Sequence, residues 1–250
     1  MEQTKKYVIN YSSLSDLGLV RDENQDAYGS LEKDWGHIFI VADGFGDKVG
    51  GKKASQIVVS SILDQFSNQP PPDPHNFVKN ALSKINADIL DLKIDEFDNR
   101  MMGSTCASVL IVNNIAYVSN VGDSRVYHLR NNKLIQLSKD QSLVQDLVEK
   151  GVIDPEDALS HPGKNILTEA IGSHGELNVE CCQSPVAIKP GDKFLICSDG
   201  LWGLVDHSRM LSIINKNDPL NAVIELIGEA RDQGGHDNIT AQVIYVSDGS

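Results

Sequence analysis

Twice along this chain an apolar run ends abruptly in Asp-Gly: Ile38-Phe39-Ile40-Val41-Ala42-Asp43-Gly44, and Phe194-Leu195-Ile196-Cys197-Ser198-Asp199-Gly200. A short continuous apolar run bounded by turn residues predicts a buried strand. Each run therefore delivers a carboxylate to a strand end. The glycine that follows has no Cβ, so carboxylate and backbone carbonyl can both approach one small ligand. A hard cation is such a ligand.

Two further acids sit beside strands, Asp123 in Asn120-Val121-Gly122-Asp123-Ser124-Arg125 and Asp237 in Gly234-Gly235-His236-Asp237-Asn238-Ile239-Thr240. Singly, each of the four reads as a turn aspartate capping a backbone amide. Together they make an oxygen-only ligand set without matching histidines or cysteines, which favours Mg²⁺ or Mn²⁺ over zinc. Two such ions ~4 Å apart can hold a bridging hydroxide and stabilise in-line attack on phosphorus.

The rest of the chain bounds this reading. Its 250 residues, 40% hydrophobic and 6% aromatic, suffice for a full globular core and exclude disorder for most of the length. A net charge of −13 repels nucleic acid and anionic membranes. Residues 1–13 lack an apolar core of signal-peptide length, and the longest apolar run, residues 38–42, is far too short to span a bilayer, so a cytoplasmic protein is expected. Cys106, Cys181, Cys182 and Cys197 show no C-x-x-C spacing and read as reduced, buried thiols.

Periodicity predicts a first strand over residues 7–11, then a polar, turn-rich stretch to Asp26. Ala54, Val58, Ile62 and Phe66 mark one face of a helix beginning near Lys52 and ended by Pro70-Pro71-Pro72. Phe77, Ala81, Ile85, Ile89 and Leu92 mark a second helix running toward Asn99. Two hairpins follow, 105–112 with 115–121 around Asn113-Asn114 and 124–129 with 134–137 around Asn131-Asn132, giving three or four sequential antiparallel strands. A short helix over 141–151 leads into an irregular insertion to residue 175. Strands are expected at 177–181, 193–197 and 239–246, and helices at 206–215 and 219–232. No repeat or linker divides the chain.

At this point the residues carry a resemblance. Arg21-x-x-Asn24-Gln25-Asp26, Asp43-Gly44, Gly103-Ser104-Thr105, Gly122-Asp123-Ser124-Arg125, Ser198-Asp199-Gly200 and Asp237-Asn238 stand in the order and approximate spacing of the type 2C (PPM) metal-dependent serine/threonine protein phosphatases, bacterial branch. The resemblance implies an α+β fold, a four-layer α-β-β-α sandwich of two antiparallel sheets flanked by helices, with a small flap over about residues 141–175 in a single domain spanning 1–250. It implies hydrolysis of phosphoserine and phosphothreonine by a hydroxide bridging two Mn²⁺ or Mg²⁺ ions, with no phosphoenzyme. Asp43 resembles the carboxylate bridging both ions, and Gly44 offers its carbonyl to the second. Asp199 and Asp237 resemble further ligands of the first ion, and Asp123 matches a carboxylate sharing a third, looser ion with Asp199. Asp26 resembles an outer-shell acid that orients metal-bound water, and Arg21 the phosphate-binding arginine, whose planar fork suits two phosphate oxygens. The implied partners are phosphorylated proteins, substrates of a serine/threonine kinase, met by a monomer that binds neither nucleic acid nor membrane.

The chain also departs from that pattern. Bacterial members usually place Gly-His where this chain has Asp47-Lys48, a histidine where Gln141 follows Asp140, and an arginine where Glu169 follows Thr168. The matching metal ligands are intact, but the changes remove proton donors on that side of the site and alter charge around the flap. A second reading is a catalytically weak phosphatase-fold sensor or scaffold. Gly46 to Lys52 satisfies a P-loop spacing, but Lys53 stands where the Mg²⁺-binding hydroxyl belongs. His236-Asp237 lacks the other histidines of a phosphohydrolase, and no cysteine has an arginine six residues on, which excludes cysteine-nucleophile phosphatases.

Overall fold

The run over residues 38–42 serves two hydrophobic cores at once. Ile38, Ile40 and Ala42 pack with Val58, Ile62, Phe66, Leu82 and Ile85, while Phe39 and Val41 pack with Val109, Val126, Phe194, Ile196 and Ile244. Side chains alternate across a strand, so a strand buried on both faces must be apolar at every position. Residues 193–197 repeat the arrangement, with Phe194 and Ile196 in that shared core and Leu195 and Cys197 in a third one with Met210, Ile213, Val223 and Leu226.

The computed structural model describes residues 7–47, 49–95, 101–181 and 184–249. In chain order its elements are β1 (Tyr7–Asp16), β2 (Asp26–Lys33), β3 (Gly36–Gly46), α1 (Gly50–Asn68), α2 (Phe77–Asp95), β4 (Met102–Ser104), β5 (Cys106–Val112), β6 (Ile115–Val121), β7 (Arg125–Arg130), β8 (Lys133–Gln136), α3 (Leu143–Glu149), β9 (Glu180–Cys181), β10 (Val186–Ala187), β11 (Lys193–Cys197), α4 (Asp199–Trp202), α5 (His207–Lys216), α6 (Pro219–Asp232) and β12 (Ile239–Asp248). A five-stranded sheet runs β1-β12-β11-β7-β8, and a seven-stranded one β10-β6-β5-β3-β2, with β4 on β3 and β9 on β6. Every strand pair is antiparallel. The shared core lies between the sheets, α1 and α2 cover the outer face of one, and α5 and α6 that of the other. This is the expected four-layer α-β-β-α sandwich.

Local chemistry explains most boundaries. Asn113, Asn114, Asn131 and Asn132 all take positive φ, between 52° and 61°, as two-residue hairpin turns require. Asp218 accepts hydrogen bonds from the backbone N–H groups of Leu220 and Asn221, capping α6 just before Pro219. Three expectations need correction. The two hairpins do not form one meander, because β5-β6 and β7-β8 belong to different sheets. The stretch before Asp26 is not all turn: β1 continues to Asp16, and β2 was not foreseen, since both are edge strands whose half-exposed residues weaken the apolar pattern. Of the strand expected at 177–181, only Glu180–Cys181 pairs. The far end of the second predicted helix, beyond Asp95, lies outside the described residues, as do Lys48 and Cys182. Cys106 and Cys197 are free and buried, whereas Cys181 is half-buried. No helix among the described residues is long and apolar enough to cross a membrane.

Candidate active site

Antiparallel pairing brings the start of one strand beside the end of the next, and this gathers the acids. Asp26 opens β2 directly across from Asp43 near the end of β3. Asp123 follows β6, Asp199 opens α4 directly after β11, and Asp237 precedes β12, which pairs with β11. Arg21, Asp43, Gly44, Asp123, Asp199 and Asp237 line one cleft of about 550 Å³, and Asp26 lies half-buried beside them.

The backbone at Asp43 is clamped on both sides. Its N–H donates to Thr105 Oγ1 at 3.0 Å, and its carbonyl accepts from the Thr105 N–H at 2.8 Å and Ser104 Oγ at 3.1 Å. Thr105 Oγ1 in turn meets Ser124 Oγ at 2.7 Å, next to Asp123. Gly44 needs to be glycine: a Cβ there would lie 2.1 Å from the carbonyl oxygen of Gly51, at the start of α1. Asp26 Oδ2 accepts from Ser198 Oγ at 2.8 Å and Thr240 Oγ1 at 2.6 Å, tying β2 to the ends of β11 and β12, while its Oδ1 is buried without a partner. Trp202 Nε1 donates to the Asp123 carbonyl at 2.9 Å, and Arg125 stacks on that indole at 3.5 Å while forking onto Asp140. Asn238 holds the loop that carries Arg21, accepting from Gln25 N and donating to the carbonyls of Leu17 and Glu23.

Electrostatics single this end out. Burial, then the neighbouring charges of Asp26 and Asp199, push the Asp43 carboxyl well above its usual range. Burial and Asp199 do the same to Asp123, burial and Asp237 to Asp199, and burial raises Asp26 despite the two hydroxyls it accepts from. Buried like charges without counter-charge are costly, and a hard cation is their natural relief. Asp199 Oδ1 is a second buried oxygen without a partner, so the donor set fits oxygen-seeking divalent ions. The carboxylates are gathered without being closed into a cage. No three His, Cys, Asp or Glu side chains among the described residues stand close enough to hold an ion as they lie, and Asp237 is turned to Arg21 Nη2 at 2.7 Å. That pair is exposed, 53% at Arg21, so it contributes only ~0–1 kcal/mol and Arg21 is free to exchange it for another anion.

All seven sequence-predicted site residues therefore converge. The departures divide. Gln141 is buried with its amide spent on Gly122 N at 2.9 Å and Asn178 O at 2.8 Å, so it places the loop before Asp123 and does not face a substrate. Glu169 does line the cleft. Asp47 binds Met101 through its backbone, and its neighbour Lys48 lies outside the described residues. Sequence reasoning missed Thr240, Trp202 and the clamp role of Thr105, whose partners are distant in the chain. It also missed that the flap closes at its base through the bridge between Ser142 and Leu167.

Comparison with known proteins agrees with this geometry. Residues 21–223 match the family described as Protein phosphatase 2C. The chain is 34% identical over 236 residues to the serine/threonine phosphatase stp of Listeria monocytogenes, covering 92% of this chain and 93% of that one. It is 33% identical over 241 residues to PstP of Mycobacterium tuberculosis, covering 96% of this chain and 46% of that longer protein. Its fold superposes on the catalytic domain of PstP in complex with two manganese ions with a TM-score of 0.86 at 31% identity, covering 97% of this chain and 100% of that one. It superposes on the S. agalactiae serine/threonine phosphatase with a TM-score of 0.89 at 29% identity, covering 95% and 99%. With its motifs, its two-sheet sandwich and its relatives in agreement, the chain belongs to the bacterial branch of the type 2C (PPM) serine/threonine protein phosphatases, and it is an enzyme of that class.

Proposed function

We propose that this chain hydrolyses phosphoserine and phosphothreonine in proteins by direct attack of water, without a phosphoenzyme, at a centre for two divalent ions, Mn²⁺ or Mg²⁺. The observation that carries this is the gathering of buried Asp123 and half-buried Asp43 and Asp199 as mutually repelling carboxylates in one cleft, with exposed Arg21 at Asp237. Asp43, Asp199, Asp237 and the Gly44 carbonyl would hold the inner ions, and Asp123 with Asp199 a third and looser one. Bound there, such ions supply a water acidic enough to attack near neutral pH and positive charge for the transferring phosphoryl group.

The chain's own groups do the rest. Arg21 leaves Asp237 and grips two phosphate oxygens with its fork, fixing the phosphorus in place. Asp26, held by Ser198 and Thr240, presents its unpartnered Oδ1 to orient the attacking water. A net charge of −13 favours phosphoproteins with basic surroundings over nucleic acids as partners, the products of a serine/threonine kinase acting in the same cytoplasm, and the chain works as a monomer. The test is hydrolysis of nitrophenyl phosphate and a phosphothreonine peptide with Mn²⁺, with Mg²⁺ and with chelator. Turnover with either ion and none with chelator is expected; turnover that survives chelation would overturn the reading.

A further inference from the structure

The end of the flap carries a hydrogen-bonded chain that the acid centre does not use, on the wall of the same cleft. Asn86 of α2, 1% exposed, commits its whole amide to one turn: Nδ2 donates to the carbonyls of His174 at 2.9 Å and Gly175 at 3.3 Å, and Oδ1 accepts from Gly172 N at 2.7 Å. Gly172, at φ 84°, lets the chain bend there. A buried amide with all its partners on one turn of backbone, residues 172–175, fixes the place of that segment. The side chains it presents to the cleft are Ser173, His174 and, just upstream, Glu169.

Counting hydrogens along this chain locates a proton. Ser173 Oγ donates its single hydrogen to the Ala170 carbonyl at 2.6 Å, and a carbonyl can only accept. The same Oγ stands 2.6 Å from His174 Nδ1, so Nδ1 must be the donor in that contact. On the other side of the ring, Nε2 lies 3.2 Å from Glu169 Oε1, within ion-pair distance, and that buried oxygen has no hydrogen-bond partner as the two groups lie. With a proton on Nε2 this contact becomes an ion pair between imidazolium and carboxylate. Burial raises the Glu169 carboxyl against the opposing effects of the His174 charge and the Asn178 N–H. The charged groups sharing the cleft are Arg21 and the acids Asp43, Asp123, Asp199 and Asp237.

We propose that His174, with Nε2 beside Glu169, is the proton donor to the departing serine or threonine oxygen, and this rests on the phosphatase reading above. His174 is the only imidazole among the described residues lining the cleft. An alkyl alkoxide leaves poorly and needs a proton as its bond to phosphorus breaks; nitrophenolate does not. In the step, the attacking water's oxygen bonds to phosphorus and its proton passes to solvent. The bond from phosphorus to the side-chain oxygen breaks, and that oxygen takes the Nδ1 proton now donated to Ser173 Oγ. Products are the free hydroxyl side chain and inorganic phosphate, and the ring regains its proton from water.

The test is His174→Ala assayed at saturating Mn²⁺ on a phosphothreonine peptide and on nitrophenyl phosphate. The peptide kcat is expected to fall on the order of 10²-fold, and nitrophenyl phosphate turnover by no more than about threefold. Added imidazole should restore part of the peptide rate, with the Mn²⁺ concentration dependence unchanged, which shows that the acid centre is intact. Equal losses on both substrates, or an undiminished peptide rate, would overturn the assignment. Absence of Mn²⁺-dependent turnover in the unaltered chain would instead overturn the phosphatase reading on which it stands.

Discussion

Asp43→Asn should separate two opposite effects of the acid centre on stability. In the metal-free protein Asp43 stands among Asp26, Asp199, Asp123 and Asp237, and desolvation first, then those charges, hold its carboxyl well above the usual range. The folded state therefore binds this proton more tightly than the unfolded chain does. The resulting stability is fully present below about pH 4, the unfolded value, and is lost as pH rises through the raised folded value. Within that window the loss is at most about 1.4 kcal/mol per pH unit for each such carboxyl, and the titrations of the group are shared. For a chain of this size that is roughly 3–6 °C of melting temperature per pH unit. Removing one carboxylate should flatten the slope and raise the metal-free melting temperature at pH 7 to 8. With metal the sign reverses: an ion at ~100 times its Kd adds ~2.7 kcal/mol, roughly 5–11 °C, and only if the carboxylates are ionised. Asp43→Asn should lose most of that gain. The assay is thermal unfolding of chelator-treated protein between pH 5 and 8, with and without Mn²⁺. A metal-free protein that grows more stable with pH in that range, or a variant that keeps the full Mn²⁺ gain, would refute the reasoning.

Arg21→Ala should raise KM for phosphopeptide more than it lowers kcat, because an arginine gripping the phosphate serves ground state and transition state alike; lysine should rescue only in part, and steady-state kinetics with an unchanged KM would return Arg21 to an ordinary loop residue. Asp123→Ala should leave the inner ions in place and lower phosphopeptide kcat more than nitrophenyl phosphate turnover, with a deficit that shrinks as Mn²⁺ is raised; equal losses, or inner metals missing from its crystal structure, would contradict a separate, looser ion. Gln141→Leu leaves Gly122 N and Asn178 O unsatisfied and should cost about 1–3 kcal/mol in denaturant unfolding, without the change of peptide preference that a substrate-facing residue would show.

What was legible in the residues was whatever neighbours in the chain decide. Continuous apolar runs placed β3 and β11, and period-3.6 patterns placed α1 and α6, because each must match its own faces to a core. Asn113-Asn114 and Asn131-Asn132 announced their hairpins through the φ values asparagine tolerates. The acids at Asp43, Asp199, Asp123 and Asp237 were readable because a strand end followed or preceded by glycine is a local signal. The edge strand β2 was not, since its half-exposed residues need no apolar alternation, and neither was the assignment of the two hairpins to different sheets.

The remainder depended on groups far apart in sequence. Asp26 is oriented by Ser198 and Thr240, 172 and 214 positions away, and a hydroxyl so distant leaves no trace in a local pattern. Gln141 and Glu169 looked alike as departures near the flap, yet one turns inward to brace Gly122 and the other turns to the cleft with His174. Sequence by itself determined which residues carry charge, which face is apolar and where the backbone can bend. Only the tertiary structure decided which carboxylates share a desolvated end of the sandwich, because burial and mutual repulsion are properties of packing, not of order along the chain.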